Sequence, residues 1–136
     1  MRPAAVVVCL PAADLDRSLR FYRECFDLEP SDADDIIVAF ELPHLSLFLI
    51  AEAEYRTYLD RAGVGTAAVP APGAVIVSCA ITSPGEVDDV AQRAAAAGGR
   101  ADPPVDLDGS HTAYIHDPDD HVWELVSNEQ TARAAE

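Results

Sequence analysis

One acidic residue, Glu124, stands in an otherwise apolar segment near the end of the chain. The sequence around it is typical of a hairpin: a strand ending near residue 116, a turn rich in Asp and Pro, and a second strand over residues 122–126. Because side chains alternate between the faces of a strand, Glu124 should lie on the face opposite to Trp123 and Leu125. A carboxylate on a half-buried strand costs free energy unless it is paired, binds a metal or faces a wet pocket. Glu124 is therefore the first candidate for a binding or catalytic group.

Other residue types that do chemistry lack suitable partners along the chain. The serines at positions 46, 78 and 110 have no evident His–Asp relay and no nucleophile elbow. The four histidines show no ligand spacing on one element, and there is no glycine-rich phosphate loop. Proton transfer by Glu124 together with Tyr114 is the catalytic alternative that these residues leave open.

Length and charge limit the classes of partner. A chain of 136 residues is expected to form one domain with its own core. Its formal charge of −15, with nine basic residues, repels nucleic acid and anionic membranes and attracts cations. Solubility alone and a positively charged ligand both explain such a charge, so the composition leaves these two interpretations open.

The sequence also predicts where the protein resides. No apolar run approaches the roughly 18 residues that a membrane span needs, and the N-terminus does not resemble a signal peptide. The three cysteines are odd in number and lie within apolar patterns, which favours reduced thiols. We therefore expect a cytoplasmic protein with no membrane partner.

The chain carries the same order of elements twice. In each half, a strand rich in β-branched residues precedes a helix, and further strands follow. Asp14 is a suitable N-cap for the first helix, and Ser83 with Glu86 three residues later predicts the start of the second. The predicted strands are residues 6–10, 36–40, 45–50, 75–81, 112–116 and 122–126.

This duplication predicts an α+β fold. Two tandem βαβββ modules would form curved mixed sheets around a trough, since one helix per module cannot cover both faces of a sheet. The whole chain, 1–136, is then a single domain. Its predicted parts are module one at about 4–54, a linker at about 55–73, module two at about 74–127 and a fraying tail at 128–136.

Two motifs resemble the vicinal oxygen chelate superfamily, which includes glyoxalase I, extradiol dioxygenases and bleomycin resistance proteins. One is the helix sequence from Ala13 to Tyr22, and the other runs from Asp117-Pro118-Asp119-Asp120 through Glu124 to Leu125. The resemblance extends from about residue 6 to residue 126. The sequence departs from the family at Asp120, where Gly is usual. That turn position is expected to need a positive φ, which Asp tolerates better than most residues.

The resemblance implies where a metal ion would be held. Metal-dependent members use His or Gln on the opening strand of each module, Glu on the last strand of module two, and often one more ligand from module one. Those positions fall at Val7, at or near Val77, at Glu124 and near Leu47. Only Glu124 has a donor atom, whereas catalytic zinc needs about three protein ligands and non-haem iron needs two His and a carboxylate. We therefore predict no metal and no cofactor, with Glu124 as the one ligand if a metal is present.

Without these ligands, the sequence resembles the metal-free, bleomycin-resistance-like members of the family. The resemblance implies a mostly apolar binding site in the trough that sequesters a hydrophobic or cationic small molecule, such as an antibiotic. The residues predicted to bind it are Val7, Cys9, Leu47, Val77, Cys79, Tyr114 and Glu124. The alternatives are a metal-dependent glyoxalase-like or dioxygenase-like enzyme that uses Glu124, a metal-free lyase or isomerase, and a dimeric module with no small ligand. The resemblance also implies a homodimer.

Overall fold

The computed structural model describes residues 1–65 and 73–134 of the chain. Two sheets and four helices account for most of them. The strands are β1 (Val7–Ala12), β2 (Asp32–Ala33), β3 (Ile37–Leu42), β4 (Leu45–Ala51), β5 (Ile76–Ala80), β6 (Arg100–Ala101), β7 (Val105–Leu107), β8 (Ser110–His116) and β9 (Val122–Ser127). The helices are α1 (Leu15–Phe26), α2 (Glu52–Arg61), α3 (Pro84–Arg93) and α4 (Glu129–Arg133).

The duplicated βαβββ order is confirmed by the topology of the two sheets. The first sheet has the order β1-β4-β3-β2, and the second has the matching order β5-β9-β8-β6, with β7 also paired to β8. In each sheet the opening strand runs parallel to the last strand, and the remaining pairs are antiparallel. The protein therefore has the predicted α+β fold of two open, curved mixed sheets.

Local sequence explains where the helices α1 and α3 begin. The side chains of Asp14 and Ser83 accept hydrogen bonds from the backbone N–H groups of Arg17 and Glu86, as expected for N-cap residues. Both helices then turn an apolar face towards the sheets. Helix α1 contributes the fully buried rings of Phe21 and Tyr22 to the core.

One hydrophobic core joins the two modules. The inner faces of both sheets pack against α1 and α3, and the core includes Leu49 from the first sheet and Trp123 from the second. The Tyr22 ring of module one lies edge-on to the Trp123 ring of module two, with 5.7 Å between centroids. Each module therefore buries part of its apolar surface against the other, which couples their folding.

The turn before β9 also ties the modules together. The Asp119 carboxylate accepts hydrogen bonds from the backbone N–H of Ala13 (3.0 Å) and from the hydroxyl of Ser18 (3.2 Å), both near the start of α1. The His121 ring contacts the carbonyl oxygen of Pro11 in β1 at 2.6 Å. Asp120 has a φ of 64°, which confirms the positive φ expected at that position. The polar residues of this motif therefore fasten one module to the other.

Two segments differ from the expected linker and tail. Helix α2, at residues 52–61, follows β4 directly and spans the end of predicted module one and the first part of the predicted linker, and residues 66–72 of that linker lie outside the described residues. The tail contains α4, whose N-cap Asn128 and Thr131 form a capping box. The Thr131 hydroxyl also donates to the carbonyl of Ile81 at 2.7 Å, so this hydrogen bond connects α4 to module two.

Candidate ligand-binding face

A carboxylate and two hydroxyls meet on the outer face of the second sheet. Ser78, Glu124 and Tyr114 lie directly opposite one another on β5, β9 and β8, so their side chains point the same way. The Ser78 hydroxyl donates to one oxygen of Glu124 at 2.7 Å. The Tyr114 hydroxyl donates to the other oxygen at 2.5 Å. We call these three residues the Glu124 cluster.

The hydrogen bonds of the Glu124 cluster fix its charge. The bond from Tyr114, and then that from Ser78, lower the pKa of Glu124 and outweigh the opposing effect of burial. The hydrogen bond from Tyr114 to Glu124 also raises the pKa of Tyr114, because it favours the protonated phenol. At neutral pH the cluster is therefore a carboxylate held by two neutral hydroxyl donors.

Exposed apolar side chains share the outer face of the second sheet with the Glu124 cluster. Ile76 is 53% exposed and Leu107 is 67% exposed, and both lie on the outer face of the second sheet. The ring of Tyr114 is itself 44% exposed. An anionic group among exposed apolar side chains is the composition expected of a surface that binds a small molecule or another protein.

The outer face of the first sheet differs because α2 covers part of it. Ile50 lies on that face and is fully buried, although it is not part of the core shared by the two modules. Helix α2 contacts β1 and β4. Burial raises the pKa of the Tyr55 phenol in α2, and the nearby thiol of Cys9 raises it further. Module one therefore covers with its own helix the face that module two leaves open.

The structure places four of the seven residues predicted to bind a ligand on the outer faces of the two sheets and three on the inner faces. Tyr114 and Glu124 meet on the outer face of the second sheet, and Val7 and Cys9 lie on the outer face of the first sheet. The other three point to the inner faces, so the prediction that all seven share one space is wrong. The inward-facing residues are Leu47, Val77 and Cys79.

A register error of one residue explains this correction. Val7 precedes its helix N-cap, Asp14, by seven residues, and in module two the residue seven before Ser83 is Ile76, not Val77. Likewise, Glu124 pairs with Ser78, and the residue that pairs with Cys9, the counterpart of Ser78, is Phe48. The module-one counterpart of Glu124 is therefore Phe48 and not Leu47. Since side chains alternate along a strand, a shift of one residue moves a side chain to the opposite face.

Ser78 was missed as a member of the site. In the sequence, Ser78 stands out only as a serine without a His–Asp relay or a nucleophile elbow. The signal that identifies it is its place in β5 directly opposite Glu124. A hydroxyl at that position can donate a hydrogen bond to the Glu124 carboxylate.

The side chains around Glu124 do not fit a catalytic metal. The corrected counterparts of the family's ligand positions are Val7, Ile76 and Phe48, all hydrocarbon side chains. Within residues 1–65 and 73–134, no group of three or more His, Cys, Asp or Glu side chains is arranged to hold an ion. A single carboxylate falls short of the donor sets that zinc and non-haem iron require.

His111 forms its side-chain hydrogen bonds with residues outside the Glu124 cluster. One ring nitrogen contacts Asp88 of α3 at 2.7 Å and the other contacts Asp106 of β7 at 2.6 Å. These hydrogen bonds raise the pKa of His111, with the bond to Asp88 contributing most. The contacts link α3 and β7 to β8, which assigns His111 a structural role.

Solved structures share this fold across nearly the whole chain. A glyoxalase-related enzyme from Fulvimarina pelagi is 27% identical, with a TM-score of 0.79 over 91% of this chain and 87% of that one. Lactoylglutathione lyase from Agrobacterium tumefaciens is 25% identical, with a TM-score of 0.68 over 95% and 97%. A bleomycin resistance determinant encoded on the transposon Tn5 is 17% identical (TM-score 0.62, 93% and 99% covered), which shows a shared fold only.

The sequence itself agrees with these structural likenesses. Comparison with curated proteins gave no significant match. The model of the Glyoxalase/Bleomycin resistance protein/Dioxygenase superfamily matches residues 4–125, which include both modules and the Glu124 cluster. The match covers nearly the whole of the duplicated fold and confirms the resemblance seen in the two motifs. The chain belongs to the Glyoxalase/Bleomycin resistance protein/Dioxygenase superfamily.

Proposed function

We propose that the protein binds a hydrophobic or cationic small molecule without a metal ion, as a protein that sequesters an antibiotic would. The observation that carries this proposal is the Glu124 carboxylate held by Ser78 and Tyr114 on an open apolar face. The carboxylate supplies charge, and Ile76 with the exposed ring of Tyr114 supplies apolar surface for a ring system. The overall charge of −15 further favours cationic ligands by steering them to the protein.

The hydrogen bonding of Glu124 favours binding over proton transfer. A general base works best with a pKa near the working pH, whereas the pKa of Glu124 is lowered from its ordinary value of 4.5. This shift weakens Glu124 as a base, and it keeps the negative charge that a cation would recognise. A metal-free lyase or isomerase is therefore the less favoured use of the same residues.

Calorimetry with matched probes tests the role of Glu124. We expect the acridine cation proflavine to bind, and Glu124→Gln to weaken its binding about five-fold by removing the charge. Binding of neutral acridone should change less than two-fold. Glu41→Gln is the matched control, because Glu41 accepts a hydrogen bond from Ser46 on the first sheet and its loss should leave proflavine binding unchanged.

The pH dependence of the same binding gives a second readout. Binding of proflavine should stay constant as the pH falls to 5 and should weaken only as Glu124 is protonated below pH 4.5. Tyr114→Phe removes the hydrogen bond that lowers the pKa of Glu124 most, so this loss should begin at a higher pH. Equal losses of proflavine and acridone in Glu124→Gln, or no binding of either probe or of bleomycin, would contradict the proposal.

A metal-dependent enzyme is the second candidate function. The likeness to lactoylglutathione lyase supports it, at 25% identity over nearly the full length of both chains. The hydrocarbon side chains at the other ligand positions, Val7, Ile76 and Phe48, argue against it. Elemental analysis of the protein purified without chelators separates the two candidates, since one bound Zn, Ni, Fe or Mn per chain would favour the enzyme.

We also propose that the protein is a cytoplasmic homodimer. The open face of the second sheet and the 44% exposed Val7 at the start of the first sheet offer apolar surface for an isologous interface. Cys9, Cys25 and Cys79 are free, which supports a reducing compartment. In the described parts of the chain, no helix has the length and apolar character that crossing a membrane requires. Sedimentation at micromolar concentration should give a dimer, and a monomer alone would refute the interface.

A further inference from the structure

We infer a second small-molecule site inside the protein, in a cavity between the two modules that accepts a compact aromatic amine. The cavity has a volume of about 140 Å³. Trp123, Leu125 and Val90 form its buried floor, and Phe26 and Cys79 belong to its walls. Glu86 lies at its exposed mouth.

This interior cavity is separate from the open face proposed above. Trp123 and Leu125 flank Glu124 along β9, and Cys79 follows Ser78 along β5, so these three side chains lie on the face opposite to the Glu124 cluster. The thickness of the second sheet lies between the two sites. A ligand in the cavity therefore contacts none of the three residues of the Glu124 cluster.

The cavity exists because the edges of the two modules do not close over it. Phe26 and Leu28 at the end of α1, Leu42 at the end of β3, and Ile81 after β5 all line it and are only partly buried. Its floor offers no free polar group, since the indole N–H of Trp123 already donates to the Tyr22 hydroxyl at 3.1 Å. An apolar hollow of this size has room for one aromatic ring, since engineered cavities of about 150 Å³ bind benzene.

The lining defines the chemistry of the occupant. The rings of Trp123 and Phe26 are 5.0 Å apart at 62°, which provides an aromatic wall for one ring. The acidic group of the lining is the Glu86 carboxylate, at the mouth, where Glu86 also accepts a hydrogen bond from the Thr82 hydroxyl at 3.4 Å. A ring in the cavity with an ammonium group pointing to Glu86 satisfies both features. The charge of −15 favours the same cation.

Intrinsic fluorescence reports on this cavity directly, because Trp123 is the only tryptophan in the chain. Titration with benzylamine should give a saturable change in the emission of Trp123. Benzyl alcohol should bind more weakly and benzoate more weakly still, since the first lacks the charge and the second repels Glu86. No saturable response to benzylamine, or tighter binding of benzoate, would overturn the inference.

Two variants and a matched control locate the response. Cys79→Leu fills the cavity and should weaken benzylamine binding about ten-fold, whereas Thr57→Ala, at an exposed position of α2, should leave it unchanged. Glu86→Gln should weaken benzylamine about three-fold and leave benzyl alcohol unchanged. If Cys79→Leu binds benzylamine as the wild type does, the cavity is not the site.

Thiol protection provides a test that needs no variant. The pKa of Cys79 is raised by burial, so alkylation is followed at pH 9 and measured by mass spectrometry for each cysteine peptide. Saturating benzylamine should slow the alkylation of Cys79 at least five-fold. The rate at Cys9, on the outer face of the first sheet, should not change. Equal slowing at both cysteines, or at neither, would contradict a ligand in this cavity.

Discussion

Replacing Gly99 with alanine is expected to lower the free energy of unfolding by about 3 kcal/mol or more. A Cβ atom at Gly99 would collide with the carbonyl oxygen of His116 and with the ring of Phe21. The oxygen belongs to β8, and the Phe21 ring is fully buried and packed edge-on against Tyr22 with 5.3 Å between centroids. Neither neighbour has room to move, so the clash would push the modules apart where α1 meets the second sheet.

Gly85 is the matched control for this prediction. A Cβ atom there meets nothing within 4 Å, and Gly85 lies in the first turn of α3. Gly85→Ala should raise stability by about 0.5 kcal/mol, because alanine restricts the unfolded chain and favours a helix. Urea denaturation of both variants measures the difference. A Gly99→Ala protein within 1 kcal/mol of the wild type would show that the contact is not tight.

Replacing Tyr22 with phenylalanine should cost about 2–4 kcal/mol of stability, although only one oxygen atom is lost. The Tyr22 hydroxyl is fully buried; it donates to the Asp117 carboxylate at 2.7 Å and accepts from the Trp123 indole at 3.1 Å. Phenylalanine would leave a buried N–H and a buried carboxylate oxygen without these partners. Tyr58→Phe, on the partly exposed helix α2, should change stability by less than about 0.5 kcal/mol.

The effect of Tyr22→Phe should depend on pH through Asp117. Burial raises the pKa of Asp117 above 3.8, while the hydrogen bond from Tyr22 lowers it, so the variant should have a still higher pKa. A raised carboxyl pKa means that protonation favours the folded state, and stability is gained as the pH falls from that pKa towards 3.8. The difference in the free energy of unfolding between Tyr22→Phe and the wild type should therefore become smaller as the pH falls. A deficit that stays constant from pH 7 to pH 4 would rule out this explanation.

Local patterns in the sequence were enough to predict the fold. The duplicated order, the N-caps Asp14 and Ser83 and the positive φ of Asp120 all depend on neighbouring residues, and all are confirmed. The side of the sheet on which Glu124 lies also followed from strand alternation within one hairpin. These features need no knowledge of how distant segments meet.

Features that depend on distant segments were not predictable. Val77 and Ile76 are both aliphatic, so residue type did not show which of them corresponds to Val7, and only the count of residues back from each helix N-cap identifies Ile76. The binding of Asp119 to the start of α1 joins residues more than one hundred positions apart. The interior cavity depends on how closely the ends of α1 and β3 approach the second sheet, which is a property of packing and not of pattern.

The unequal covering of the two sheets affects how this protein can evolve. Under α2, the outer face of the first sheet contributes to stability, so substitutions there carry a folding penalty. The uncovered face of the second sheet contributes less to folding, so substitutions at exposed positions such as Ile76 and Leu107 carry a smaller penalty in stability. Selection on what this face contacts can therefore act on module two while module one preserves the scaffold.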